Sequence, residues 1–323
     1  MKGPLRIAAL VVGGLVALVL LVIGYVVVAL PKAFAVPSIK VTPTPESTER
    51  GAYLTEHVAV CISCHSTRDY THFAGPVVPG SEGRGGERFD REHGLPGNIV
   101  SSNITPAALS GWSDGEIARA ITTGVNKGGK ALFPVMPYPG LSHLCNSDLE
   151  AVLVSVRGLK PVQSSIPATE LDFPVSVLVR TMPAPADPWP CPNGADEVAL
   201  GKYLTEIASC ASCHTPIDKG KPLPGKELAG GFEFKMTEGS LARSANITPD
   251  KATGIGNWTK EQFVQRFKAL ANAAPPEVKP GAPNTPMPWY AYAGMTERDL
   301  GAIYAFLRTV KPVDNKVEHF GKW

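Results

Sequence analysis

The chain has 323 residues, with 31 Lys+Arg against 29 Asp+Glu, a net charge of +2, and only 19% charged residues. That balance excludes a protein whose main partner is nucleic-acid phosphate. The 44% apolar content excludes wholesale disorder, and 32 glycines with 31 prolines in no three-residue period exclude collagen and describe a loop-rich globular chain.

Residues 1–30 read as a transmembrane anchor. Ala8 to Leu30 carries no charge, and at 1.5 Å per residue this run covers roughly 35 Å, enough to cross a bilayer with some tilt. A cleaved signal peptide, with Ala33-Phe34-Ala35 as cleavage site, is the competing reading. Its apolar core would be unusually long, since such cores run to roughly 7–15 residues. Residues 31–46 contain Pro31, Pro37, Pro43 and Pro45 and are expected to form an extended tether that lets the rest of the chain reorient. No second apolar stretch of that length follows, so the remainder is expected on one side of the membrane.

From residue 47 the sequence reads twice. Gly51-Ala-Tyr53-Leu54 returns as Gly201-Lys-Tyr203-Leu204, and Cys61-Ile-Ser-Cys64-His65 as Cys210-Ala-Ser-Cys213-His214. Gly85-Gly86 matches Gly230-Gly231, Asn103-Ile-Thr-Pro106 matches Asn246-Ile-Thr-Pro249, and Trp112 matches Trp258. Met136-Pro-Tyr138 matches Met287-Pro-Trp289, and Leu159-Lys-Pro-Val162 matches Val310-Lys-Pro-Val313. Two copies of one domain are therefore predicted, over 47–161 and 193–323. The linker 162–192 is proline-rich, yet Leu171, Phe173, Val175, Val177, Leu178 and Val179 are too apolar for a solvated spacer, so it should pack on a domain surface.

Each copy predicts three principal helices. The first carries Gly-x-Tyr-Leu and runs into the cysteines, with Gly51 and Gly201 permitting close crossing by the last helix. The middle one starts at a capping box, Ser113-x-x-Glu116 or Thr259-x-x-Gln262. The last presents Leu149, Val152, Leu153 and Val156, or Leu300, Ile303, Tyr304 and Leu307, as one apolar stripe. Pro161 and Pro312 stop it. With no convincing strand alternation, the fold class is all-α.

Cys-x-x-Cys-His is the attachment pattern of c-type haem. Two thiols three residues apart can add to the two vinyl groups on one porphyrin edge, which brings the following His beneath the iron. Two such motifs inside a repeat, behind an export-type segment, predict two covalent haems, one per domain. Cysteine zinc sites offer no reason for a His after both pairs. A thioredoxin-like pair lacks its βαβ context, and a plain disulfide within each pair ignores the His. For the sixth ligand, Met136 and Met287 are the only soft donors that recur at equivalent positions, each in Met-Pro-aromatic. His57, His72, His93, His143 and His319 lack repeat partners and read as surface or packing residues, with His57 and His72 the alternative iron ligands to the methionines. Trp112, Trp258 and the Asn-Ile-Thr-Pro loops are read either as shielding and hydrogen-bonding haem propionates or as ordinary turns and core aromatics. Cys145 and Cys191 are unmatched; they either form a disulfide or remain one buried and one exposed thiol.

On these motifs the sequence resembles the class I cytochrome c family, and more narrowly the membrane-anchored dihaem cytochromes similar to cytochrome subunits of bacterial alcohol and sugar dehydrogenases. The resemblance covers about residues 47–313. It implies helices wrapped around each haem, Cys61, Cys64, Cys210 and Cys213 as thioether residues, His65 and His214 as proximal ligands, and Met136 and Met287 as distal ones. Those subunits commonly carry three haem domains, and here there are two.

The expected function is electron transfer, not enzymatic turnover, because protein fills both axial positions of each iron. The protein would act as a free carrier or as the electron-transfer subunit of a dehydrogenase or respiratory chain. Its partners would be a donor dehydrogenase or quinol-oxidising complex and an acceptor oxidase or soluble cytochrome, with no nucleic acid. A dihaem cytochrome c peroxidase, which needs an open iron, is the alternative from another class. Haem c is attached outside the cytoplasm, so a single pass of the cell (inner) membrane is expected, with a cytoplasmic N-terminus and periplasmic haem domains.

Overall fold

The computed structural model describes residues 3–31, 34–236 and 239–322. Met1 and Lys2 of the anchor, Ala33 of the alternative cleavage site and Trp323 lie outside the described residues. Helix α1, Gly3–Ala29, is 27 residues long, with a mean hydropathy of 3.0 in its most apolar stretch and none of it buried. It is long and apolar enough to cross a membrane.

The proline-rich segment that follows is docked, not free to reorient. Val41 N–H donates to Asp114 Oδ2 at 3.0 Å, Ile39 and Val41 pack on the core, and a Cβ at Gly115 would meet Pro37 O at 2.0 Å. Stiff, low-entropy backbone binds well once a partner supplies the hydrogen bonds it cannot make internally.

The first half contains α2, Pro45–Tyr53, continued by a π turn Leu54–Val58, then α3, Cys61–Cys64. It goes on through α4, Pro106–Leu109, α5, Asp114–Thr123, α6, Tyr138–Leu141, and α7, Asn146–Gly158. After α8, Val175–Leu178, the second half provides α9, Glu197–Ile207, and α10, Cys210–His214. It ends with α11, Lys260–Lys268, α12, Trp289–Ala293, and α13, Glu297–Leu307. Both predicted capping boxes form, at Ser113 and Thr259. The glycine prediction holds as well: a Cβ at Gly51 would lie 2.0 Å from Ala151 O of α7, and one at Gly201 would lie 1.8 Å from Ala302 O of α13. Only glycine lets these backbones approach so closely.

The all-α expectation needs correcting, because short strands accompany the helices. Strands β1, Arg88–Phe89, β2, Gly97–Val100, and β3, Glu170–Leu171, form one antiparallel sheet in that order. Strands β4, Ile217–Asp218, and β5, Lys221–Pro222, form a hairpin. Strands β6, Glu233–Lys235, β7, Ser240–Arg243, and β8, Phe320–Lys322, repeat the first arrangement. In each three-stranded sheet the third strand comes from the chain beyond the last helix. Strands of two to four residues are too short to display the period-two alternation by which a strand is recognised.

One apolar cluster spans both halves, from Leu54, Val58 and Leu153 to Leu204, Ile207 and Leu307. Reciprocal hydrogen bonds lock it. Tyr53 Oη donates to Asp299 at 2.6 Å and Tyr203 Oη donates to Asp148 at 2.8 Å, so each first helix reaches the last helix of the other half. Each hydroxyl also accepts a backbone N–H at the start of that last helix, from Thr296 at 3.1 Å and from Cys145 at 3.3 Å. Burial, reinforced by the Asp299 carboxylate, pushes the Tyr53 hydroxyl up to about 12, which keeps it a donor at neutral pH.

Cys145 and Cys191 are disulfide-bonded, closing a span of 46 residues. The linker is tied to the body at its ends, where β3 joins β2, Asp187 N–H bonds Ser142 O at 3.1 Å and Trp189 stacks on His143, but its apolar middle is covered only in part: Val179 is buried while Phe173 and Leu178 are exposed.

Candidate haem-binding site

The first helix of each half does not run straight into the cysteines. It ends at a residue in the left-handed region, Val60 at φ 46° or Ser209 at φ 55°, after which the short cysteine helix starts on a new axis. A β-branched residue there costs about 1–3 kcal/mol, and the same device in both halves points to a required change of direction. Cys213 is exposed and the other three cysteines are half-buried. Desolvation by the surrounding protein nevertheless pushes Cys61 and Cys210 up to about 12 and Cys213 to about 11, and raises Cys64 too. The two motifs are electrostatic neighbours, because Cys64 also adds to the upward shift of Cys213.

The two histidines are held identically. His65 Nδ1 pairs with Ser102 O at 2.7 Å and His214 Nδ1 with Ala245 O at 2.7 Å. A carbonyl only accepts, so each Nδ1 carries the proton and each Nε2 keeps its lone pair. Desolvation lowers both imidazole pKa values, favouring that neutral form.

The accepting carbonyls belong to the residues just before the two Asn-Ile-Thr-Pro loops, which explains why the loops recur. Asn103 Nδ2 donates to Val162 O at 2.8 Å, while its Oδ1 accepts from Thr105 N–H at 2.8 Å and from Thr105 Oγ1 at 2.7 Å. Asn246 makes the same bonds to Val313 O and Thr248. These amides staple the histidine-orienting loop to the chain leaving the last helix. The propionate-binding reading is therefore replaced for the asparagines, whose polar atoms are spent. The carbonyls of Trp112 and Trp258 accept from Arg157 and Tyr304.

Gly85 and Gly230 are site residues to which sequence reasoning gave no role. At φ 73° and 74° they donate N–H to the backbone carbonyls of His65 and His214, at 2.8 and 2.7 Å. A Cβ there would lie 2.5 Å from Ser102 C or 2.4 Å from Ala245 C. Their recurrence as a Gly-Gly pair was the signal.

Met136 and Met287 are half-buried against the same apolar cluster that Cys61 and Cys210 border. Each is followed by the same turn, Tyr138 N–H to Met136 O at 2.7 Å and Trp289 N–H to Met287 O at 2.8 Å. The loops leading to them differ. The Met136 loop is tied within its own half, by Leu132 N–H to Gly124 O at 2.7 Å and Arg119 to Asn126 O at 2.7 Å. The Met287 loop is held by the other half, through Arg68 to Pro286 O at 3.3 Å, Phe73 N–H to Pro276 O at 2.8 Å and the Asn284 side chain. His57 packs its ring against Gly294 and pairs with Ala291 O at 2.9 Å, and His72 pairs with Asp69 at 2.9 Å. The donor set fits a covalently held haem in each half: two adjacent thiols, a neutral imidazole with Nε2 free, a recurring thioether and apolar walls.

Residues 198–311 match the cytochrome c family and form a cytochrome c domain, the class of protein that carries covalent haem and transfers electrons. The chain is 27% identical over 288 residues to the cytochrome c subunit of a quinone-type alcohol dehydrogenase of Gluconacetobacter polyoxogenes, covering 84% of this chain and 58% of that one. It is 28% identical to the fructose dehydrogenase cytochrome subunit of Gluconobacter japonicus, covering 83% and 54%. A diheme c-type cytochrome of Cereibacter sphaeroides is 26% identical over 265 residues, covering 79% and 83%. The chain thus spans little more than half the length of the dehydrogenase subunits it matches. The family match itself lies in the second half.

Proposed function

We propose that both halves, over 47–161 and 193–323, are cytochrome c domains, and that the protein is a membrane-anchored dihaem electron carrier. Cys61 and Cys64, and Cys210 and Cys213, would hold one haem c each by thioethers. His65 and His214 would be the proximal ligands and Met136 and Met287 the distal ones. The observation that carries the reading is the shared pairing of His65 with Ser102 O and His214 with Ala245 O, which extends the features of the matched second half to the first. The haem iron supplies a one-electron couple, which a thioether ligand biases toward the reduced form.

The chain's own residues set the rest. Ser102 and Ala245 fix the imidazole planes, the apolar cluster limits water, and the Tyr53–Asp299 and Tyr203–Asp148 bonds hold the two sites at one separation. With one apolar core and the two Tyr–Asp bonds joining the halves, electrons would pass between them within the protein. The similarity to dehydrogenase subunits supports a role as the electron-transfer subunit of such a complex or a carrier beside it, receiving electrons from a dehydrogenase or quinol-oxidising partner and passing them to an oxidase or soluble cytochrome. Helix α1 would anchor it in the cell membrane, N-terminus inside and haem domains in the periplasm.

Intact mass and redox titration of the purified protein test this together. Two haem masses beyond the polypeptide, retained in acid acetone, and two one-electron steps are expected. One haem, extractable haem or rapid peroxide turnover would overturn it.

A further inference from the structure

The apolar part of the linker is not consumed by the haem sites. Between Asp172 and Asp187 the only charged side chain is Arg180. This stretch folds as the short helix α8 and a 3₁₀ turn, Val179–Thr181, that pack on helix α1. Arg180 Nη1 donates to Val27 O at 3.0 Å and to Leu30 O at 3.3 Å, covering carbonyls that the end of α1 leaves without helical partners. Val179 is buried, while Phe173, Leu178 and Met182 are 77%, 50% and 40% exposed. Both flanks are fixed to the body, by the Arg91–Asp172 ion pair and β3 on one side and by Asp187 N–H to Ser142 O on the other. An apolar segment is thus held out beside the last turns of α1, a helix long and apolar enough to cross hydrocarbon.

We propose that residues 173–182 form a second membrane contact, a foot that inserts Phe173, Leu178 and Met182 at the boundary of lipid headgroups and acyl chains where α1 emerges. The proposal rests on the anchor reading of α1. The occupant follows from continuity: whatever surrounds Val27 to Leu30 also meets α8, and a helix as apolar as α1 is surrounded there by lipid. The single cation suits that position, with its stem among apolar neighbours and its head at the polar boundary. Helix α1 alone would give the body a single point of attachment to the bilayer. A foot beside it gives two points of attachment and holds one face of the protein toward the bilayer.

The test uses the full-length holoprotein in phosphatidylcholine–phosphatidylglycerol vesicles, with spin labels at Leu178→Cys, Met182→Cys and, as a control on exposed α7 surface, Glu150→Cys. Spectra are taken with the haems reduced, and an unchanged visible spectrum verifies each variant's fold. The labels at 178 and 182 should be accessible to oxygen and shielded from a water-soluble nickel chelate, raising the oxygen-to-chelate ratio several-fold over the label at 150. If the vesicles retain the chain but the label at 178 is as open to the chelate as that at 150, the foot is wrong and the anchor stands. Shielding from both reagents would mean a protein contact and also overturns it. Failure of the chain to remain with the vesicles in alkaline carbonate would overturn anchor and foot alike.

Discussion

Replacing Asn284 by alanine should loosen the loop that carries Met287, the proposed axial ligand of one haem, and leave the Met136 loop untouched. Asn284 is 0% exposed, and its side chain joins the two halves. Its Oδ1 accepts from Ala74 N–H at 2.9 Å, and its Nδ2 donates to Tyr70 O at 3.0 Å and to His72 O at 3.3 Å. The variant strands one donor and two acceptors of the first-half loop, three residues before Met287. At about 1 kcal/mol net per bond, with a further penalty for groups left dry, the loss is about 3–4 kcal/mol. That raises local opening by a factor of roughly 100–1,000. Phe73 and Val278 still pair with Pro276 O at 2.8 Å and Thr71 O at 2.7 Å, so the fold should survive. Hydrogen exchange should quicken over residues 70–76 and 276–287. The weak sulfur-to-iron absorption at the red end of the ferric spectrum should fall by up to half, and about half the haem should bind carbon monoxide. A stability loss below about 1 kcal/mol with unchanged exchange, or equal disturbance of both haems, would refute the reasoning.

Further outcomes follow from the same geometry. Met136→Ala and Met287→Ala should each remove about half of the red band and lower the potential of one haem, seen by spectroscopic redox titration, because a water or nitrogen ligand favours Fe(III) over a thioether. Gly201→Ala forces a Cβ to 1.8 Å from Ala302 O and should cost at least about 1–3 kcal/mol in denaturant unfolding. Gly158→Ala, with nothing within 4 Å of the added atom, should be neutral or stabilising by up to about 1 kcal/mol. Cys191→Ser opens the 46-residue span and should lose about 4 kcal/mol on the loop-entropy account, a loss that reductant reproduces in the parent protein. Burial works to raise the Asp114 pKa, but the Val41 N–H and Arg157 outweigh it and leave the pKa below the ordinary 3.8. Its folded value being depressed, its stabilisation is full well above pH 3.8 and is lost as pH falls through the folded value. The protection factor of the Val41 amide, its exchange measured relative to the free-peptide rate at the same pH, should therefore fall in acid, and at neutral pH in Asp114→Ala.

Chemistry confined to neighbouring residues was legible in the sequence. Two Cys-x-x-Cys-His motifs in register specify what can attach and which imidazoles stand ready. Capping boxes at Ser113 and Thr259 and apolar stripes on the last helices were equally plain, because they depend on residues three or four apart. Gly51 and Gly201 were readable as crossing points only through their recurrence. Contacts between distant residues were decided by the tertiary structure alone. Tyr53 meets Asp299 across 246 positions and Ala74 meets Asn284 across 210, separations at which no periodicity survives. The docking of the proline-rich tether on α5, the asparagines' bonds to Val162 and Val313, and the packing of the linker on α1 are likewise pairings made only when chain segments converge. The strands were invisible for a related reason: each exists only because its partner strand supplies the hydrogen bonds, and two to four residues hold no pattern of their own.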